Sequence, residues 1–295
     1  MPSAQLSDRT LISVSGADAE HFLQNILTTD LDTLAEGEAK PGALLAPQGK
    51  ILFDFLVSRD QTGGFLLDCR AETADDFIRR LTLYKLRAKV EISKQDQLLV
   101  AAAWAPDSPA SASGSTSSPN ASTRLRDTRF REPAAAYRIY GEPAAGPADA
   151  SGWHAHRIAH GVAESGSDYA LGDAFPHDVL LDETGGVGFG KGCYVGQEVV
   201  SRMHHRGTAR RRVLLVSAEA PLPASGTEIV ANGRSIGTLG SVAGNRGLAI
   251  VRIDRVKDAL DGGMAITAGD VPLSLSIPAW AKFTFPQASA GAEEA

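Results

Sequence analysis

The sequence predicts an α+β fold with a small all-β unit at its carboxy-terminal end. Three observations carry this. Helical and strand-like periodicities are mixed in the amino-terminal part, they do not alternate as a doubly wound sheet requires, and the part after Arg212 is a series of short apolar runs punctuated by glycine.

Phe22, Leu23, Ile26 and Leu27 repeat at helical spacing behind Ser15-Gly16-Ala17-Asp18, a helix start with a carboxylate in its first turn. Beyond Gly37, the apolar runs 43–45, 51–57 and 65–67 are separated by Pro47-Gln48-Gly49 and Gly63-Gly64, which is the pattern of antiparallel strands. Helical spacing returns in Phe77, Ile78, Leu81 and Tyr84, and 89–92 reads as another strand. Residues 105–124 are rich in serine and proline with nothing apolar larger than alanine, so a disordered insertion is expected there. A second alanine-, glycine- and proline-rich stretch, 142–152, leads into Trp153. The runs 213–216, 228–231, 236–239, 248–251 and 271–277, with an Asn232-Gly233 hairpin turn, suggest a small barrel or sandwich, and 286–295 reads as a tail.

With 43% hydrophobic and 22% charged side chains over 295 residues, the chain can bury a sizeable core and should divide into two or three units. No run approaches the roughly eighteen apolar residues of a membrane helix. The amino terminus lacks the basic and apolar regions of a secretory signal, so a cytoplasmic protein is expected. The two cysteines, Cys69 and Cys193, exclude a disulfide scaffold and any all-thiolate zinc or iron-sulfur site made by one chain alone. A formal charge of -6 argues against broad nucleic-acid coating; neither a membrane nor a direct nucleic-acid partner is expected.

The chemistry concentrates in Gly185-Gly186-Val187-Gly188-Phe189-Gly190-Lys191-Gly192-Cys193-Tyr194-Val195-Gly196-Gln197-Glu198. Glycine at this density marks a backbone that bends sharply or lies close to something. Gly185, Gly190 and Lys191 have phosphate-loop spacing, but position 192 is glycine where the magnesium-binding hydroxyl belongs. A second reading is a reactive thiol, because a cation near a partly exposed cysteine raises its thiolate fraction; Cys193 and Lys191 are then the candidate catalytic pair. The plain alternative is an inert cysteine in a glycine turn. The histidines at 154, 156, 160, 177, 204 and 205 match no metal-binding spacing, and no metal site is assigned.

Lys191-Gly192-Cys193-Tyr194-Val195-Gly196-Gln197-Glu198 matches the K-G-C-[YF]-x-G-Q-E signature of the YgfZ family, folate-binding relatives of the glycine-cleavage aminomethyltransferase, without a departure. Gly16-Ala17-Asp18 with Phe22-Leu23-Gln24-Asn25 resembles the family's opening helix, Pro47-Gln48-Gly49-Lys50 its "P-x-G-K" turn, and Ser201-Arg202 with Arg206-Gly207 the segment after the signature. The resemblance implies a three-part aminomethyltransferase-like ring of α+β domains with a carboxy-terminal β-barrel around a cavity for tetrahydrofolate or a one-carbon derivative. Residues 1–45 and 151–207 would form the folate domain, 46–150 a middle domain and 208–285 the barrel. The implied function is support of iron-sulfur cluster assembly or repair in client enzymes, tRNA-modifying ones included, with folate and iron-sulfur clients or assembly proteins as partners. The alternative is a folate-dependent aminomethyl or one-carbon transferase, and a thiol-transfer activity also stays open.

For a pterin, Asp54 is the carboxylate candidate and Trp153 the aromatic wall, with an exposed strand carboxylate and a core aromatic as the plain alternatives. The related aminomethyltransferase segment has two adjacent aspartates, and the first is Phe53 here, which argues against aminomethyl transfer. The family's other folate-contacting tryptophan corresponds to Arg9. Arg157 suits a folate carboxylate or a domain-interface acid. Tyr194, Gln197, Glu198, Arg202 and Arg206 complete the candidate folate contacts. The acid-free run 201–212, with Arg202, Arg206, Arg210, Arg211 and Arg212, suits an anion such as the folate glutamate tail, RNA or an acidic partner, or else is the solvated start of a barrel strand.

Overall fold

The apolar runs of the amino-terminal part pair as antiparallel neighbours in the computed structural model, which describes residues 1–104, 122–141 and 149–286. Strands β1 (Ser3–Gln5), β2 (Arg9–Ser15), β3 (Glu38–Leu45), β4 (Ile51–Arg59), β5 (Phe65–Arg70), β6 (Glu91–Lys94), β7 (Leu99–Trp104), β8 (Thr123–Asp127) and β9 (Ala136–Gly141) form one sheet. Its order is β1-β7-β9-β8-β3-β4-β5-β2-β6. Helices α1 (Ala19–Ile26) and α2 (Ala74–Lys85) lay Phe22, Leu23, Phe77 and Leu81 on Ile12, Leu44 and Phe55, the expected apolar faces meeting in one core. Asp18 sits just before α1, and its carboxylate accepts the Lys89 N–H at 2.7 Å, fastening the helix start to the approach to β6.

Three expectations need correction here. The boundary at 45/46 falls inside the β3–β4 hairpin, where Leu45 pairs with Ile51, so one sheet carries both sides of it. The last residues of the expected insertion, Thr123 and Arg124, begin β8; 105–121 lie outside the described residues. The strand expected at 89–92 begins at Glu91. Strands β7 and β9 escape sequence reading for separate reasons. The first is Leu-Val-Ala-Ala-Ala-Trp, weak in strand formers, and the second turns Arg138 inward at 0% exposure, where alternation assigns an arginine to solvent.

Beyond α3 (Ser151–Ala159) the chain runs without regular strands to α4 (Gln197–Arg206). A seven-stranded antiparallel sheet follows, from β10 (Arg211–Ser217), β11 (Glu228–Ala231), β12 (Arg234–Ala243), β13 (Arg246–Arg252), β14 (Ile266–Ala268), β15 (Val271–Pro272) and β16 (Ser274–Ser276). Its α5 (Ile253–Asp261) was not foreseen. Asn232 and Gly233 turn between β11 and β12 with φ of 49° and 70°, as the hairpin signal requires. The arginine run 201–212 is divided between α4 and β10, so it is not one strand start. A shared core joins Ala43, Leu45 and Ile51 of the first sheet to Ile158, Tyr169 and Val200 and to Val213 and Leu248 of the second. The three parts therefore meet around Tyr169.

Candidate functional site

Two polar features lie near this meeting point. One is internal. Arg138 reaches Asp68 at 3.4 Å, Asp127 at 3.5 Å and Glu164 at 3.5 Å. Arg9 binds Asp68 at 2.5 Å, and Arg129 forks onto Asp127 at 2.9 and 2.7 Å. Arg157 donates to Asp168 and to Ser241 Oγ, each at 2.6 Å, and faces Glu164 at 3.3 Å. All eight charged side chains are buried. Burial by itself would raise the Glu164 carboxyl, but the Arg157, Arg129, Arg138 and Arg9 guanidiniums outweigh it and hold it well below the carboxylate range.

Asp54 borders this network and is already satisfied: Ser165 Oγ donates to one oxygen at 2.6 Å and Tyr169 OH to the other at 3.0 Å. The cavity it shares with Arg9, Gly42, Arg129, Tyr169 and Thr184 measures about 30 Å³. That is room for about one water, whereas small-molecule pockets measure roughly 300–1,000 Å³. The residues as placed do not fit a pterin. Arg9, at the position of a folate-contacting tryptophan, is committed to Asp68. Trp153 is not a cavity wall: it is 0% exposed and packs on Trp104, Phe130 and His156 with Arg138 over its ring. Arg157 takes the interface acids, not a ligand carboxylate. Phe53 stacks on Phe77, ring centroids 4.7 Å apart, on the face of β4 opposite Asp54.

The other feature is open. Cys193 is exposed on the glycine-rich loop, and that loop is docked on the chain that leaves α1. Thr28 Oγ donates to Gly186 O at 2.6 Å, and the Gly188 N–H donates to Thr28 O at 2.8 Å. Lys191 Nζ donates to Leu27 O and Thr29 O, both at 2.8 Å, with the Tyr194 ring 5.3 Å away. A Cβ at Gly188 would lie 2.8 Å from Asp30 Cβ and 2.9 Å from Lys191 Cδ, so glycine there makes room for the lysine stem. Gly196 enters α4 with φ 79°, and a Cβ on it would meet Ala46 O at 2.5 Å, which brings the 47–50 turn against the end of the signature. At the far end Phe189 stacks on His204 at 3.8 Å.

Lys191 therefore clamps the loop. Its ammonium is spent on core carbonyls, which removes both the phosphate-cradle reading and a freely placed catalytic cation; burial pushes it down to about 8. Tyr194 is buried, pushed up to about 12 by that burial, and Gln197 donates its N–H to Tyr194 O at 3.3 Å. These residues shape the loop. Among the arginines expected to hold an anion, Arg202 pairs with Glu198, Arg210 with Asp254, Arg211 with Asp173 and Arg212 with Asp182. Four of the five arginines are thus paired, and the acids of Arg210, Arg211 and Arg212 lie thirty or more residues away. Neither the Thr28 dock nor the arginine network is legible in the sequence, because the partners lie far apart along the chain and a buried charge has no local signature.

Residues 5–132 match the GCVT N-terminal domain and residues 210–283 the CAF17 C-terminal beta-barrel domain. The human protein named "Iron-sulfur cluster assembly factor IBA57, mitochondrial" is 33% identical over 94% of this chain and 84% of its own length. The chain belongs to the IBA57 family. The mouse IBA57 is 30% identical over 87% of this chain and 79% of its own length, and the Chaetomium globosum homologue 31% over 90% and 76%. The aminomethyltransferase T of the glycine cleavage system from Bartonella henselae superposes with a TM-score of 0.68 over 94% of this chain and 85% of that one, at 17% identity. The shared architecture is thus an aminomethyltransferase-like fold with a carboxy-terminal barrel domain. The expectation of a cytoplasmic protein is corrected by the family: these human, mouse and fungal IBA57 relatives are all named as mitochondrial. Among the described residues no helix is long and apolar enough to cross a membrane.

Proposed function

We propose that this chain is an iron-sulfur cluster assembly factor in which the Cys193 thiolate ligates the iron of a cluster in transit while a partner protein supplies the remaining ligands. The carrying observation is the placement of Cys193, exposed on a loop fixed by four hydrogen bonds to residues 27–29. Cys69 cannot share the task, being 1% exposed, with its thiol pushed up to about 12 by burial. Among the described residues no group of three or more His, Cys, Asp or Glu could hold a metal ion. Clusters held by cysteine need four thiolates. One fixed, exposed thiol is the chemistry of a shared and transient ligand. The names of the IBA57 relatives and the eight-residue YgfZ signature support the same reading.

Tetrahydrofolate has no step in this proposal, because the cavity beside Asp54 is too small and its polar groups are satisfied. The same geometry disfavours the one-carbon transferase reading. In cells lacking their own IBA57, the wild-type chain restores iron-sulfur enzyme activity, and Cys193→Ala, with an unchanged melting temperature, does not. Full rescue by Cys193→Ala overturns the proposal.

A further inference from the structure

The carboxy-terminal end of α2 carries a feature that neither the fold nor the Cys193 loop uses. Leu83 is 69% and Leu86 87% exposed, the two most exposed large apolar side chains among the described residues. A single exposed leucine is ordinary. These two are three residues apart, Leu83 in the last turn of α2 and Leu86 just past its end. Leu86, at the helix end, has φ 46° and ψ -106°, a conformation that costs an L side chain energy and that glycine adopts freely. An apolar side chain thus stands where it is neither buried nor conformationally favoured.

The surroundings are basic. Arg80, Lys85, Arg87 and Lys89 flank the leucines, and none takes part in an ion pair among the described residues. The nearby acids are engaged, Asp76 with Arg79, Asp75 with Lys94, and Asp18 with the Lys89 backbone N–H. The negative end of the helix dipole accounts for a cation in its last turn, such as Lys85, but Arg87 and Lys89 lie beyond the helix. This concentration of cations occurs in a chain of formal charge -6.

We propose that this tip is a docking surface for an acidic protein segment, which seats an apolar side chain against Leu83 and Leu86 and sets carboxylates against Arg80, Lys85, Arg87 and Lys89. A protein partner is favoured over a membrane because the anionic chain as a whole is repelled by anionic lipid and two leucines bury too little to anchor it. The proposal goes beyond the assembly function and does not depend on it.

The test is a nuclear magnetic resonance titration of the isotope-labelled full chain. The probes are a short synthetic peptide alternating leucine with glutamate, its counterpart with glutamine for glutamate, and phosphatidylglycerol vesicles. The expected result is amide shifts within 79–89 for the glutamate peptide alone, reversed by high salt and lost in Leu86→Gly and in Arg80→Glu/Arg87→Glu. Leu86→Gly relieves the backbone, so it melts no lower than wild type and its loss of binding is not unfolding. Equal shifts with both peptides, shifts with vesicles alone, or none within 79–89 would overturn the proposal.

Discussion

The buried arginine–carboxylate centre and the Cys193 loop are built on opposite rules. At the centre, Arg9, Arg129, Arg138 and Arg157 are paired with Asp68, Asp127, Glu164 and Asp168, and the space left beside Asp54 is about 30 Å³. In the loop the backbone is fixed on Leu27, Thr28 and Thr29 and the thiol is left exposed. The difference teaches where this member of a transferase fold does its work. The interior is a charged keystone between the three parts, and the exposed thiol stands outside it, where the proposed ligand role places the chemistry.

The comparison can be broken from either side. Truncating one partner of a buried charge network leaves the others uncompensated, so Arg138→Met should lower stability by about 3–5 kcal/mol in chemical denaturation. Cys193 alkylation should proceed unchanged in whatever folded fraction remains. Acid should act on the centre as well. The folded Glu164 carboxyl is held below its unfolded value near 4.3, so its contribution is complete above that pH and is lost as pH falls through and below it. Glu164→Gln should therefore be less stable than wild type at neutral pH, with the gap closing below about pH 4; a constant gap across denaturation curves would refute the assignment.

Gly188→Ala strikes the loop instead. Its Cβ collides with Asp30 and the Lys191 stem, which should cost about 1–3 kcal/mol and weaken iron-sulfur rescue while leaving the acid profile of the centre unchanged. The smallest effect sharpens the contrast most. Tetrahydrofolate should neither quench tryptophan fluorescence nor raise the melting temperature, and saturable quenching that disappears in Asp54→Ala would show that the centre opens to a ligand.

How much of this was legible in the sequence follows from the range of each interaction. The helix at Phe22 to Leu27, the strands around Ile51 to Val57 and the Asn232-Gly233 hairpin were readable because their signals repeat over a few residues. Strand β9 was not, because Arg138 points inward and local alternation reads it as solvent-facing. The acids that neutralise Arg211 and Arg212 lie thirty or more residues away, so the run 201–212 reads in sequence either as an anion site or as a solvated strand start.

The sequence alone determined that Cys193 stands in a glycine-rich signature and that one chain with two cysteines cannot enclose a cluster on thiolates. Tertiary structure alone decided that Cys69 is sealed in the core, that Lys191 clamps the loop instead of serving the thiol directly, and that the cavity beside Asp54 measures only about 30 Å³. The physical reason is common to all three. Residue type and local spacing say what a side chain can do, but burial and the partners that satisfy it come from chain segments distant in sequence, and those fix which of its possible roles remains.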